Sequence, residues 1–171
     1  SSFLLNRLSK ARQAEVCQSM AIQTLLLTKS WLQLQPGRAR FEALCALVGA
    51  AQSLAGMGSF LAPALSALAL ECKIQIDADG GINSRNPEEL LEVFGLLTWV
   101  KHTLELSKTP IPEVLASTIR TIAPVLRSLR HGDGTLARFH GGGQGSEHML
   151  DKALAMSGVR PSIPQDGAMG F

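Results

Sequence analysis

Apolar residues recur along this chain at the three-to-four-residue spacing of a helix, and proline or glycine ends each run. A segment with that period buries one stripe of its surface, whereas a strand alternates its faces every second residue. From Phe3 to about Leu32 the stripe is Leu4, Leu5, Leu8, Ala11, Val16, Met20, Leu27 and Trp31, and Pro36-Gly37 ends it. A second helix is expected from about Arg38 to Leu54, before Gly56-Met57-Gly58. Ser59 can cap a third, carrying Leu61, Leu65, Leu68 and Cys72, with Pro63 tolerated near its start. The pattern collapses into a loop between Asp77 and Asn86. Asn86-Pro87-Glu88-Glu89 then reads as a helix start, because Asn accepts from orphan N–H groups and proline has none to waste. That helix runs to about Ser107 with Leu90, Leu91, Phe94, Leu97 and Val100 inward. Pro110 and Pro112 break the chain, and a further helix carries Val114, Leu115, Ile119, Ile122, Val125 and Leu129, with a kink possible at Pro124. The turn His131-Gly132-Asp133-Gly134, a strand-like Thr135–Phe139 and a glycine loop from His140 to Gly145 precede a last short helix, Ser146 to Ser157.

The expectation is an all-α fold of antiparallel helix pairs repeating every 40 to 50 residues, as in a toroid or solenoid, with a short irregular, hairpin-like segment near 131–145. Residues 1–157 form the helical unit, and the Pro- and Gly-rich 158–171 reads as a linker. At 171 residues, with 46% hydrophobic and 18% charged, the chain is long and apolar enough for one globular core. A net charge of +2, with Arg and Lys scattered, excludes a nucleic-acid footprint. No apolar run is long enough for a membrane span. The chain starts at Ser1 inside a helical pattern, so the start of the gene product is expected to lie upstream, and the compartment is not legible. Cys17, Cys45 and Cys72 are odd in number and far apart, each in an apolar helical setting, which fits free core thiols.

Several chemistries are absent. His140-Gly141-Gly142-Gly143 is similar to an esterase oxyanion loop, but no G-x-S-x-G elbow supplies a nucleophile, and there is no Walker A or H-E-x-x-H sequence. Asp77-Ala78-Asp79-Gly80-Gly81-Ile82 has the middle of a calcium loop, yet Gln75 and Asn86 stand where the first ligand and the bidentate glutamate belong. No metal or other cofactor is expected.

Asp79-Gly80-Gly81, Arg85 and Pro87, leading into a Leu-rich helix, have the order and spacing of D-G-G-H-F-E-R-S-P-M-Y-H. Gly37 to Gln52 is an Ala/Leu-rich run similar to one opened by an Asn-His pair. Leu129 to Phe139 is similar to R-H-G-D-G-x-L-A-x-F. Together these segments resemble the helical (α/α) toroid of the heparinase II/III-like polysaccharide lyases, over nearly the whole chain. The tail from Ile163 to Phe171 resembles the approach to the β-sandwich domain that follows that toroid. The resemblance implies a bacterial, periplasmic or secreted protein acting on acidic, uronate-containing polysaccharide. It implies β-elimination, in which an Asn, often with His, neutralises the uronate carboxylate, and Tyr or His moves the protons.

At those positions this chain has other residues. The Tyr position is Glu89, the Asn-His pair is Gly37-Arg38, and there is no Tyr in the chain. The candidates that remain are Glu89 and His140 for proton transfer. Arg85, Arg38, Asn83 and His131 are the candidates for holding substrate. Asn86, beside Asn83, could also bond sugar hydroxyls. Plainer alternatives are Arg85 bonding loop carbonyls or Asp79, Arg38 solvated in a first helical turn, Asn86 only a cap, and His131 and Asp133 locking a turn. A lyase requires a base and a neutraliser in one cleft. Glycan binding without chemistry requires Arg38 and Arg85 on the concave face, with Trp31 or Trp99 partly exposed nearby as a sugar platform. A protein-binding helical repeat would instead show an uninterrupted apolar groove.

Overall fold

The computed structural model describes residues 9–132, 134–138 and 147–160. Among them the regular structure is entirely helical: α1 (Lys10–Ser30), α2 (Arg38–Ser53), α3 (Leu61–Gln75), α4 (Pro87–Leu106), α5 (Glu113–Ser128) and α6 (Glu147–Ser157). Short 3-10 turns at Trp31–Gln33 and Gly58–Phe60 join α1 to α2 and α2 to α3. The expected all-α class is therefore what the chain adopts. The first helix of the described residues starts at Ser9, whose side chain accepts from the Arg12 amide; Leu4, Leu5 and Leu8 lie outside them. Pro124 is accommodated inside α5, which runs unbroken from Glu113 to Ser128.

The helix that organises the rest is α4. Leu90, Leu91, Val93, Phe94, Leu97, Val100 and Leu104 are fully buried, more than one amphipathic stripe can supply. They are enclosed because α4 packs on α2, α5 and α6 at once. Its start is the one the sequence announced: Asn86 accepts from the amides of Glu88 and Glu89, and Pro87 occupies the first turn. Helices α2, α4 and α6 form one row of neighbours, while α3 and α5 pack beside each other across it. By contrast, α1 leans on α2 alone to any extent, and only Thr24 of its 21 residues is buried.

Two connections share one backbone design. After α3, Asp77 N–H donates to the Gly81 carbonyl, Gly80 N–H to the Asp77 carbonyl and Asn83 N–H to the Gln75 carbonyl, with Ile76 bridged to Ile82. After α5, the same three bonds recur 54 residues further on: His131 to Thr135, Gly134 to His131 and Ala137 to Leu129, with Arg130 bridged to Leu136. Each is a tight reversal whose glycine, Gly80 at φ 87° or Gly134 at φ 88°, takes the left-handed conformation that closes a three-residue hairpin loop. Thus α3 and α5, each with the turn that follows it, make two like units set 54 residues apart rather than at the expected 40 to 50. Of the expected strand-like 135–139, the described residues 135–138 contribute a single bridge, at Leu136.

Gly80 is fixed twice over. Besides its φ, a Cβ there would lie 2.4 Å from the Thr121 carbonyl oxygen on α5, so the first turn is seated directly on α5 backbone. Gly80→Ala is expected to cost about 2–4 kcal/mol in a urea melt, from left-handed strain plus the clash. Gly56→Ala, at φ 81° with open space, should cost about 1 kcal/mol. Equal losses at the two sites would refute the seating. The thiols give a second check. Burial pushes Cys72 up to about 12 and Cys45 higher still, while Cys17 is exposed. Native protein at mildly alkaline pH should therefore titrate one thiol with an aromatic disulfide reagent and three after denaturation.

Candidate functional site

The first turns of α2 and α4 meet. Gly37, the residue before α2, sits at φ 97° and offers no side chain to cap the orphan amides of that helix. Glu89, from the first turn of α4, takes over: its Oε1 accepts from the Arg38 amide at 2.9 Å. The approach is so close that a Cβ on Gly37 would stand 2.5 Å from that oxygen. A carboxylate at a helix N-terminus is favoured both by the hydrogen bond and by the dipole. This cap therefore links segments 51 residues apart.

The Arg38 side chain is also committed. Its Nε donates to Glu42 at 2.7 Å and its Nη1 to Glu92 at 2.8 Å. The hydrogen bond to Glu42, then the charge of Glu92, hold the guanidinium above its ordinary value. For Glu92 the balance runs the other way. Burial raises its carboxyl, and nearby Glu88 and Glu42 add to that, more than Arg38 lowers it. Glu42, Glu89 and Glu92 thus meet Arg38, and the charge of Glu88 acts on Glu92 beside them.

Arg85 stands one residue before the Asn86 cap. It is exposed, and its φ of 53° is the left-handed region that costs a non-glycine residue about 1 kcal/mol. Its amide is held by the Ile82 carbonyl at 2.8 Å, while its guanidinium has no hydrogen-bond or ion-pair partner among the described residues. The amide of Asn83 is used internally, donating to the Ile74 carbonyl at 2.9 Å and reaching Gln75 at 3.4 Å. His131 is exposed in the second turn, at the position equivalent to Asp77. His140 lies outside the described residues. The structure therefore brings Glu89 and Arg38 into contact, with Arg85 on the adjoining loop, and sets His131 on the other turn.

Trp31 is half-buried among the core residues. Trp99 is 40% exposed and packs against Gly49, but it lies twelve residues along α4 from Pro87, roughly 18 Å at the helical rise. Sequence reasoning missed the pairing of Gly37 with Glu89, which only the fold reveals. It also missed the equivalence of the two turns, for which a signal existed: Asp79-Gly80-x-Ile82 and Asp133-Gly134-x-Leu136 are in register. Among the described residues no cluster of His, Cys, Asp and Glu could hold a metal ion. No helix of the described residues is long and apolar enough to cross a membrane.

No family model matches the chain, and no solved structure matches it. A stretch of 99 residues, 57% of this chain, is 35% identical to FtsZ-localized protein C of Caulobacter vibrioides (strain NA1000 / CB15N). The chain spans 17% of the length of that curated relative.

Two outcomes are expected at this site. Glu89→Ala should cost about 1 kcal/mol by uncapping α2, and Glu89→Gln, which keeps an acceptor oxygen, should cost clearly less in the same urea melts. Glu92 has a raised carboxyl in the folded state, so its contribution is stabilising below the ordinary glutamate range and is lost as pH rises through the raised value. Glu92→Gln should therefore be no less stable than the parent at neutral pH, and should lose that relative advantage as pH falls below the glutamate range. A variant less stable at pH 7 than at pH 4, relative to the parent, would reverse the sign and refute the account.

Proposed function

We propose that this chain is a segment of a heparinase II/III-like helical toroid that binds acidic polysaccharide and has lost the elimination chemistry of that family. The observation that carries this reading is the contact between Glu89 and Gly37-Arg38. Those are the positions that the resemblance gives to the proton-transferring Tyr and the neutralising Asn-His pair, and 51 residues of intervening sequence separate them. The paired rows of helices and the repeated turns also suit a toroid of helix pairs.

The groups now filling these positions are arranged against elimination. Abstraction of the C5 proton needs the uronate carboxylate neutralised, since the carbanion would otherwise add a second negative charge beside it. Here Arg38 is spent on Glu42 and Glu92, and Glu89 would repel a uronate rather than shield it. Binding falls to Arg85, whose free fork matches a carboxylate or sulfate in two parallel hydrogen bonds.

The test uses the full parent protein with a panel of acidic polysaccharides, measuring ultraviolet absorbance of unsaturated uronate and glycan binding together. Binding without product is expected. Arg85→Ala should weaken it about tenfold or more, the usual value of a charge-assisted pair. Product that disappears in Glu89→Gln or His140→Ala would overturn the loss of chemistry. Absence of both product and binding would overturn the glycan reading.

A second reading rests on the match to FtsZ-localized protein C: a protein carrying this segment would localise with FtsZ. A fluorescent fusion of the parent protein should then coincide with FtsZ in dividing cells, and a diffuse signal would remove this reading. The two readings are compatible, since one concerns a ligand and the other a place.

A further inference from the structure

Between α3, the first turn and α5 lies a cleft of about 320 Å³, away from the Glu89–Arg38 contact. It is lined by Lys73, Asp77, Ser117 and Thr121, over a floor that includes Cys72 and Thr118. Its volume is at the small end of the roughly 300–1,000 Å³ range of ligand pockets, enough for one ring-sized molecule. The chemistry of the wall is lopsided. Ser117 spends its hydroxyl proton on the Val114 carbonyl at 3.0 Å and Thr121 on the Ser117 carbonyl at 3.0 Å. Their oxygens can therefore only accept. Asp77 Oδ1 takes the amides of Asp79 and Gly81, leaving Oδ2 as another acceptor. The floor is closed to chemistry, since Cys72 is a buried thiol held near 12 and bonded by Thr118. Against these acceptors stands one cation. The Lys73 ammonium has no ion-pair partner among the described residues.

The repeat shows what a cation at this position does. Lys73 corresponds to Arg127 at the 54-residue offset, and Arg127 donates to the carbonyl oxygens of Val159 and Arg160. In the second unit, then, the equivalent side chain already grips oxygen acceptors. We propose that the cleft between α3 and α5 is a binding site for a single hydroxyl-rich ring carrying one carboxylate, such as a uronic acid residue. Lys73 would pair the carboxylate, while Asp77, Ser117 and Thr121 accept from the ring hydroxyls. The choice of a sugar acid rests on the glycan reading above; the acceptor-rich wall with one cation is independent of it. Occupancy also touches the first turn, because the Thr121 that lines the cleft offers its carbonyl as the seat of Gly80.

The experiment titrates the full chain with D-glucuronate, glucose and acetate, following amide shifts of residues 73, 77 and 121 by NMR. Glucuronate should saturate and the other two should bind at least about tenfold more weakly, since each lacks one half of the recognition. Lys73→Ala should weaken glucuronate by about tenfold or more with unchanged melting temperature, and Lys73→Arg should restore most of it. If Lys73→Ala binds as tightly as the parent, or if acetate matches glucuronate, the proposal is overturned. A chain that shows no shift at these amides overturns it as well. Loss of polysaccharide binding in Arg85→Ala with no glucuronate effect in Lys73→Ala would sink this cleft and leave the glycan reading standing. The reverse pattern would sink the role of Arg85 and keep the cleft.

Discussion

The burial of α4 is the constraint on which the rest of this structure depends. A helix with seven fully buried large side chains cannot stand at a surface, so other helices must enclose it, and α2, α5 and α6 do. Each of those is then oriented by the same requirement, with its own apolar stripe turned to α4. At roughly 1.5–3 kcal/mol per fully buried large aliphatic or aromatic side chain, this one helix supplies a large part of the apolar driving force. This helix begins with three agreeing signals, the Asn86 cap, Pro87 in the first turn and acids beside the dipole.

Enclosing α4 also fixes the ends of its neighbours. Once α2 lies along it, the bare N-terminus of α2 falls beside the first turn of α4, and Glu89 becomes its cap. The same side chain therefore serves as acid in the first turn of one helix and as cap for another. The absence of a side chain at Gly37 is required by the approach of that carboxylate. Glu42 and Glu92 then hold Arg38 from two helices. What results is a polar joint between helix ends whose members satisfy one another, and such networks hold geometry rigidly.

The repeated turn gives the other half of the layout. Two hairpins with the same hydrogen bonds and the same left-handed glycine send the chain back after α3 and α5. Because the two units are alike, differences between them carry information. Arg127 grips carbonyls of its own chain where Lys73 faces an open cleft, and His131 stands where Asp77 accepts two amides. The units share a backbone design and have diverged in what their side chains hold.

Most of the helices, their breaks and the cap at Asn86 were legible in the sequence, because periodicity, capping and proline act within a few residues of where they stand. The all-α class followed from them. Ser59, expected to cap the third helix, instead lies in the 3-10 turn ahead of it, and Phe60 stands at the cap with no side-chain bond. Candidate residues were legible by type, and Arg85 by its place in a turn. The sequence could not say that Glu89 meets Arg38, since that contact closes only when α2 packs along α4. Nor could it separate the guanidinium of Arg85, which has no partner among the described residues, from the engaged one of Arg38, or show that the Asn83 side chain bonds back to Ile74. Those distinctions depend on partners far along the chain, and packing alone decides which groups are near enough to bond. Tertiary structure settled the register of the two turns for the same reason. The Asp-Gly signal was present in both, but its meaning as one repeated unit came from the bonds each turn makes.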